Sequence, residues 1–344
     1  MVFPAVLLLV GSGAGNRYED APASVTVDKK PALLFKGIEE QLIARDIAVF
    51  VYDKRGVTPK DATFQDEDVN REIFSKTADA EHLASDALHA FDALRTMPEI
   101  DPSRVSVLGH SEGTALAMKI VEERPEVRSL LMLGLWTRNF EQIGYYQGVI
   151  NLMRLFEVMD ADQDGYLTRE EVLPFIADSQ GQIQAWDDQT FEGRLLPGIR
   201  SVFDATGDGR VSEQEWRYVF EQQHKYGELQ IHDPSMPWRS LKPRSWAAQY
   251  EAEGDYLPRH IQFCAKIHVF HGEIDIQTPF EDALELRDSC QDRGTPLASF
   301  HSYPGEGHAF SPRTGLKGWR DTIGPMDPQL QRDIAEAAAR DLLN

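Results

Sequence analysis

The chain has 344 residues, of which 42% are hydrophobic, so it can bury a large core as one domain with an insertion or as two domains. Its formal net charge of −21 argues against binding to nucleic acid or to an anionic membrane surface, because both require clustered Lys and Arg. No apolar stretch approaches the roughly 20 residues of a membrane-spanning helix, so we expect no transmembrane span.

Short apolar runs alternate with amphipathic stretches, which predicts an α/β fold with a doubly wound, mostly parallel sheet. The predicted strands cover residues 5–10, 47–52, 104–109, 129–135, 266–271 and 297–303. The predicted helices cover residues 34–45, 78–96, 112–124, 279–289 and 327–343. The alternation stops between residues 138 and 255, where a helical segment rich in acids and aromatics takes over. We therefore predict one domain from residues 1–137 and 256–344, with residues 138–255 as an inserted, mainly helical domain.

The first predicted strand ends in the glycine-rich segment VGSGAGNRYED. Its apolar run is shorter than that of a signal peptide, and no basic residue precedes Arg17, so we expect a strand. The alternative is that the sequence is truncated, and that the missing start carried a signal peptide. A glycine-rich loop could cradle a phosphate, but Asn16 stands where the third glycine of G-x-G-x-x-G belongs. The other interpretation is that its backbone N–H groups bind a negatively charged oxygen.

The segment RVSVLGHSEGTALAM passes from a β-branched run through GHSEG at 109–113 into a helix rich in small residues. This context is typical of a nucleophile elbow, where two glycines let the strand and helix pack tightly around a serine in a strained turn. We predict Ser111 as the nucleophile. An acyl-transfer site also needs backbone N–H groups for the developing oxyanion, and we assign these to Glu112 and to Ser12, with Gly13 as the alternative to Ser12.

Two acidic loops in the inserted segment have the spacing of EF-hand calcium sites. The first is DADQDGYLTREE at 160–171, with Gly165 at its sharp turn and Thr168 acting through water. Its predicted ligands are Asp160, Asp162, Asp164, the Tyr166 carbonyl and Glu171.

The second loop is DATGDGRVSEQE at 204–215. Its predicted ligands are Asp204, Thr206, Asp208, the Arg210 carbonyl and Glu215. Thr206 replaces a carboxylate with a neutral oxygen, so this site should be the weaker of two Ca²⁺ sites. We also expect Leu167 and Val211 to form the short two-stranded contact of paired EF-hands, and Pro197 and Gly198 to shorten the second entering helix.

The segments after the last two predicted strands supply an acid and a histidine. KIHVFHGEIDIQTP contains Asp275, with Glu273 as its rival, and ASFHSYPGEGHAF contains His308 in a glycine-rich loop. An elbow serine requires an acid and then a histidine, each just after a later strand. Ser111, Asp275 and His308 therefore form the predicted catalytic triad.

Cys264 and Cys290 are the only cysteines, too few for a disulfide framework. The sequence does not decide between two buried thiols and a single bridge, since Cys264 precedes a strand and Cys290 ends the helix that returns beside it.

These motifs resemble the α/β-hydrolase superfamily, and within it bacterial serine carboxylesterases and peptidase-like hydrolases. The resemblance rests on VGSGAGNRYED, YDKRG at 52–56, GHSEG, HGEIDIQTP and GEGHAF, which occur in family order over residues 1–137 and 256–344. It implies a catalytic domain with the α/β-hydrolase fold, and it makes the insertion a cap over the active site.

The triad and the resemblance together predict a serine carboxylesterase that acts on a small-molecule ester without an organic cofactor. Calcium in the cap would stabilise it or gate access to Ser111. Two alternatives stay open: a serine peptidase or acyl-peptide hydrolase with the same triad, and a non-catalytic calcium-binding protein on a hydrolase scaffold. The sequence does not indicate the natural substrate, the calcium affinity, the oligomeric state or the compartment.

Overall fold

The computed structural model describes residues 2–21, 26, 32–58, 69–178, 186–187, 189–191, 194–238, 240–311 and 324–344. These residues fall into two compact units. One unit contains described residues from 2–143, 237–311 and 324–344, and the other contains those from 144–236. The residues between 138 and 255 are thus divided between the two units.

Strands and helices alternate along most of the described chain. The strands are β1 (Phe3–Leu9), β2 (Asp20–Ala21), β3 (Ala32–Leu33), β4 (Ala48–Phe50), β5 (Ile100–His110), β6 (Leu130–Leu133), β7 (Tyr166–Leu167), β8 (Gln189–Phe191), β9 (Arg194–Leu196), β10 (Val211–Ser212), β11 (Ile267–Gly272) and β12 (Ser299–Tyr303). The helices are α1 (Leu34–Ile43), α2 (Arg71–Thr77), α3 (Ala80–Arg95), α4 (Glu112–Glu123), α5 (Phe140–Tyr145), α6 (Asn151–Met159), α7 (Arg169–Asp178), α8 (Ile199–Phe203), α9 (Glu213–His232), α10 (Arg244–Glu253), α11 (Leu257–His260), α12 (Phe280–Asp292) and α13 (Pro328–Leu342). A π-helical turn, Tyr146–Ile150, joins α5 to α6, and a 3₁₀ turn, Cys264–Lys266, precedes β11.

The first unit is built on a six-stranded sheet in the order β12-β11-β6-β5-β1-β4, and every pairing in it is parallel. The strand β1 is buried almost along its whole length, as expected for a parallel strand covered on both faces. One face is covered by α1 and α13, whose apolar residues share a core with Val6, Leu8 and Leu108 of the sheet. The helices α3 and α4 also pack against β1 and β5. The mostly parallel α/β fold predicted from the sequence is therefore confirmed.

The six predicted strands and five predicted helices are confirmed, with ends that differ by a few residues. The largest difference is at β5, which begins at Ile100 although IDPSR has the polar and proline-containing composition of a loop. Its first residue pairs with Phe3 before a register shift, so the early start depends on pairing with β1.

The second unit contains two helix-loop-helix segments. Helices α6 and α7 flank residues 160–171, and α8 and α9 flank residues 204–215. As predicted, the second entering helix is short, because α8 begins at Ile199 directly after Pro197 and Gly198. A buried apolar cluster joins the four helices, and it includes Phe156, Val172, Phe203 and Trp216. The Trp216 indole stacks on the Phe203 ring at 4.6 Å and donates to the Leu152 carbonyl at 2.7 Å.

Cys264 and Cys290 form a disulfide that ties the turn before β11 to the end of α12, with their Cα atoms 5.8 Å apart. This settles the choice that the sequence left open. Within the described parts of the chain, no helix has the length and apolarity that a bilayer span requires.

A buried glutamate, Glu306, joins the loops that follow β11 and β12. Its N–H donates to the Tyr303 carbonyl at 3.2 Å, and its own carbonyl accepts from the N–H of Ile274 at 3.2 Å. The side chain is only 7% exposed, and Oε2 has no hydrogen-bond partner among the described residues. Burial, helped by the nearby charge of Asp327, raises the pKa of Glu306 to about 7.

Replacing Glu306 with Gln should make stability less dependent on pH. Because the folded-state pKa is raised, the folded protein holds a proton that the unfolded chain releases at lower pH. The free energy of unfolding therefore falls as the pH rises from 4.5 to about 7, and this loss persists above that range. We expect the Tm of Glu306→Gln relative to wild type to be higher near pH 8 than near pH 5. Glu273→Gln, which removes an exposed acid from the neighbouring loop, is the control; an equal Tm difference at both pH values for Glu306→Gln would contradict this account.

Candidate functional site

Ser111 lies in a strained turn between β5 and α4. Its backbone has φ 53° and ψ −122°, a conformation that residues other than glycine rarely adopt. The turn is held by a hydrogen bond from the Ser111 N–H to the Leu133 carbonyl at 2.9 Å. The Ser111 carbonyl accepts from both the N–H and the hydroxyl of Thr114, at 2.9 and 2.7 Å.

The two glycines of the GHSEG segment are required by close packing. A Cβ added to Gly109 would lie 2.3 Å from the Gly113 carbonyl oxygen, and one added to Gly113 would lie 2.2 Å from the Leu9 carbonyl oxygen. Both distances are far below van der Waals contact, so only glycine fits at either position. The positions of the two glycines in GHSEG thus follow from two close contacts: Gly109 packs against the backbone of Gly113, and Gly113 of α4 packs against Leu9 of β1.

His308 and Asp275, which lie in the loops after β12 and β11, are hydrogen-bonded to each other. His308 Nδ1 donates to Asp275 Oδ2 at 2.7 Å, and both side chains are buried. A proton on Nδ1 leaves Nε2 as the basic nitrogen of the ring. Glu273, the rival acid, is exposed and accepts instead from the Ser302 hydroxyl at 2.7 Å.

Asp275 is held in its charged form. Burial alone would raise its pKa, but the electrostatic interaction and the hydrogen bond with His308 outweigh that effect and hold the pKa well below its usual range. Its Oδ1 accepts from the N–H groups of Gln277 and Thr278, at 2.7 and 2.9 Å. The hydroxyl of Thr278 donates to Oδ2 at 2.8 Å. Asp275 is therefore a fixed acceptor that orients the His308 ring.

Ser111 and the His308 loop meet beside β6. Gly134, which follows the carbonyl that holds the Ser111 N–H, lies against the imidazole, since a Cβ added there would be 3.1 Å from His308 Cε1. His110 Nε2 donates to the His308 carbonyl at 3.0 Å, and the two rings lie 4.8 Å apart. The structure thus brings the three residues of the predicted triad to the carboxyl ends of the parallel strands β5, β11 and β12.

The glycine-rich loop after β1 lies against the same turn. A Cβ added to Gly11 would be 3.1 Å from Ser111 Cβ, and the Gly11 N–H donates to Glu19 Oε2 at 2.7 Å. Ser12, whose N–H is a predicted oxyanion donor, is exposed. Asn16 is buried and accepts from the Tyr18 N–H at 2.9 Å, so its side chain closes the loop.

The sequence did not predict roles for Lys54 and the Glu112 side chain. They form an ion pair at 3.0 Å, with side chains 3% and 0% exposed. Trp246 Nε1 donates to the second carboxylate oxygen at 2.5 Å. Lys54 lies in the loop after β4 and Glu112 is the first residue of α4, so no local sequence pattern links the two side chains. Trp246 also packs edge-to-face on Phe140 and Tyr250; Trp246 and Tyr250 are buried, and Phe140 is half-buried.

The two acidic loops of the second unit are paired. The strands β7 and β10 are antiparallel, with Leu167 opposite Val211, so the predicted contact between paired EF-hands is confirmed. Arg210 contributes to the pairing, because its guanidinium lies 4.1 Å from the Tyr166 ring centroid and 3.8 Å from the Asp164 carboxylate.

The oxygens of the first loop converge. Carboxylate oxygens of Asp160, Asp162 and Asp164 all lie within 4.8 Å of one another. Glu171 folds back onto the loop and accepts from the N–H and hydroxyl of Thr168 at 2.9 and 2.8 Å. Gly165 has φ +82°, as the sharp turn requires. All of these side-chain donors are oxygen atoms, the ligand type that a calcium ion prefers.

The second loop is arranged in the same way. Asp204 accepts from the N–H groups of Gly207 and Gly209, at 2.7 and 3.0 Å. Glu215 accepts from the N–H and hydroxyl of Ser212, at 2.9 and 2.7 Å. The neutral hydroxyl of Thr206 lies among these groups, 3.4 Å from Asp204 Oδ1.

The match of this chain to a known protein family lies within the second unit. The sequence profile described as EF hand matches residues 152–173 and 201–219. No curated protein sequence is significantly similar to the chain. Similar solved structures include a complex of DcsB with its substrate analogue, at 13% identity and a TM-score of 0.49, covering 100% of this chain and 92% of that one.

Two further solved structures are similar to this chain. A monoacylglycerol lipase from Paleococcus ferrophilus is 12% identical with a TM-score of 0.43, over 99% of this chain and 97% of that one. The esterase domain of a Rhodothermus marinus protein is 13% identical with a TM-score of 0.43, over 100% of this chain and 89% of that one. Sequence identities and TM-scores this low give no information about the activity of this protein. The parallel sheet and the strained turn at Ser111 show an α/β fold, and the match to the EF hand profile falls on the paired loops.

Proposed function

We propose that this protein is a serine hydrolase that cleaves small-molecule carboxylic esters. The hydrogen bond between His308 Nδ1 and Asp275, beside the strained turn at Ser111, is the observation that carries the proposal. A buried imidazole oriented by a charged carboxylate is the general base that a serine nucleophile needs.

The reaction follows from the roles of these groups. Ser111 Oγ attacks the ester carbonyl while His308 Nε2 takes its proton, and Asp275 stabilises the imidazolium that forms. The N–H groups of Ser12 and Glu112 bind the oxyanion of the tetrahedral intermediate. His308 then protonates the leaving alcohol, and water hydrolyses the acyl-enzyme by the same steps. This sequence of steps requires no organic cofactor.

Two other functions remain alternatives. A peptidase or acyl-peptide hydrolase would use the same three residues but would have to protonate an amine leaving group. A non-catalytic calcium-binding protein would not need the Asp275–His308 hydrogen bond or the cost of a positive φ at Ser111.

We further propose that the paired loops at 160–171 and 204–215 bind two calcium ions, the second more weakly. The argument is electrostatic, because three carboxylates within 4.8 Å repel one another and a divalent cation relieves that repulsion. Calcium would either stabilise the inserted segment or regulate hydrolysis. Only a regulatory role makes ester hydrolysis depend on the bound ion.

Ser111→Ala should abolish hydrolysis of nitrophenyl esters. We expect kcat to fall by at least about 10³-fold, since the oxyanion N–H groups and substrate binding retain only a residual part of the acceleration. The matched control is Ser106→Ala, which removes a buried hydroxyl of the preceding strand, β5, that bonds to Ser129 Oγ at 2.9 Å. Faster cleavage of a peptide amide than of any ester would favour the peptidase, and esterase activity that survives in Ser111→Ala would contradict the proposal.

Glu171→Gln should weaken calcium binding at the first site by more than about tenfold, because it removes a charged, two-oxygen ligand. Isothermal titration of metal-stripped protein would measure this. Glu170→Gln is the control, since it changes the net charge equally from an exposed position outside the predicted ligand set. Equal weakening in both variants, or no calcium binding by wild type, would contradict the calcium sites.

The same stripped protein separates the two roles of calcium. Ester hydrolysis that disappears in chelator and returns with calcium, while circular dichroism stays constant, would indicate regulation. Hydrolysis that is indifferent to calcium would limit the ion to a local brace.

A further inference from the structure

The buried ammonium of Lys54 is bonded to both segments that carry the proposed oxyanion donors. Its Nζ donates to the Gly11 carbonyl and, at 3.4 Å, to the Gly13 carbonyl, so it holds the residues on either side of Ser12. It also donates to Glu112 Oε2 at 3.0 Å. An ammonium has three donors, and these three partners use all of them.

Glu112 is fixed from the other side as well. Its Oε1 accepts from Trp246 Nε1 at 2.5 Å, so each carboxylate oxygen has a buried donor. Burial alone would raise the pKa of Glu112, but the charges of Lys54 and Lys242 outweigh it and lower the pKa. The residue that follows Ser111 is therefore anchored as an anion, and its own N–H is held with it.

A fully buried ion pair is a weak source of stability, because desolvation of both charges offsets most of their attraction. An apolar pair of similar volume would serve packing equally well. The Lys54–Glu112 pair instead joins the loop that contains Ser12 to the start of α4. These are the two segments whose N–H groups must converge on one oxygen atom in the proposed reaction.

We propose that Lys54 is a positioning residue of the oxyanion hole, which fixes the Ser12 and Glu112 N–H groups relative to each other. The inference rests on the proposed function. Preorganised donors act on the charge that develops in the transition state and contribute less to ground-state binding. Loss of Lys54 should therefore lower kcat and leave KM nearly unchanged.

The test compares three variants with a matched control on a nitrophenyl ester. Lys54→Met removes the ammonium at similar volume, Glu112→Gln removes the opposite charge, and the double variant removes both charges of the pair. The control is Lys266→Met, because Lys266 Nζ also donates to two loop carbonyls, those of Pro125 and Val127, remote from Ser111 in the sheet. Thermal unfolding of each variant is measured alongside kcat and KM.

We expect kcat to fall by about 10²-fold in Lys54→Met and in the double variant, the cost of one misplaced oxyanion donor, with KM within about threefold of wild type. Lys266→Met should keep its kcat even where its Tm falls. The proposal is overturned if Lys54→Met loses no more kcat than Lys266→Met, if the loss appears only in KM, or if neither the single nor the double variant folds. Wild-type protein without Ser111-dependent turnover would instead reject the proposed function.

Discussion

The close approach of β1, β5 and α4 around Ser111 is the constraint on which the rest of the site depends. Carbonyl oxygens lie where side chains at Gly109 and Gly113 would have to be, so the chain can turn sharply only there. The turn forces a positive φ on Ser111, a cost of about 1–3 kcal/mol that the surrounding hydrogen bonds must offset. Those bonds come from Leu133 and Thr114, which belong to neighbouring elements. The backbone strain at Ser111 is thus offset by hydrogen bonds to β6 and α4.

Around this turn the other groups are arranged by the order of the strands. The sheet order places β11 and β12 on one side of β6 and β5, and β1 on the other. Asp275 and His308 therefore approach Ser111 from one side, and the glycine-rich loop after β1 approaches it from the other. Backbone hydrogen bonds of Glu306 connect the loops that follow β11 and β12. Lys54 connects the glycine-rich loop after β1 to α4. Each segment that carries a group of the proposed reaction is thus held by a contact that takes no part in that reaction.

Much of this arrangement could be predicted from the sequence, because its signals are local. The GHSEG turn, the acid, the histidine and both EF-hand loops are short patterns whose spacing reflects backbone geometry. Pairing of Leu167 with Val211 was also predictable from loop position. The Lys54–Glu112 pair was not, because its residues are 58 apart in the chain, and Trp246 is 134 residues from Glu112. The Cys264–Cys290 bridge likewise depends on a Cα separation that spacing does not fix.

The most direct test of the central claim is covalent labelling of the native protein with a fluorophosphonate, followed by peptide mass mapping. A serine activated by His308 and Asp275 should take up about one phosphonyl group per chain, on Ser111, with simultaneous loss of ester hydrolysis. No labelling, or labelling of a different residue while Ser111 stays unmodified, would contradict the assignment of this site as a serine hydrolase.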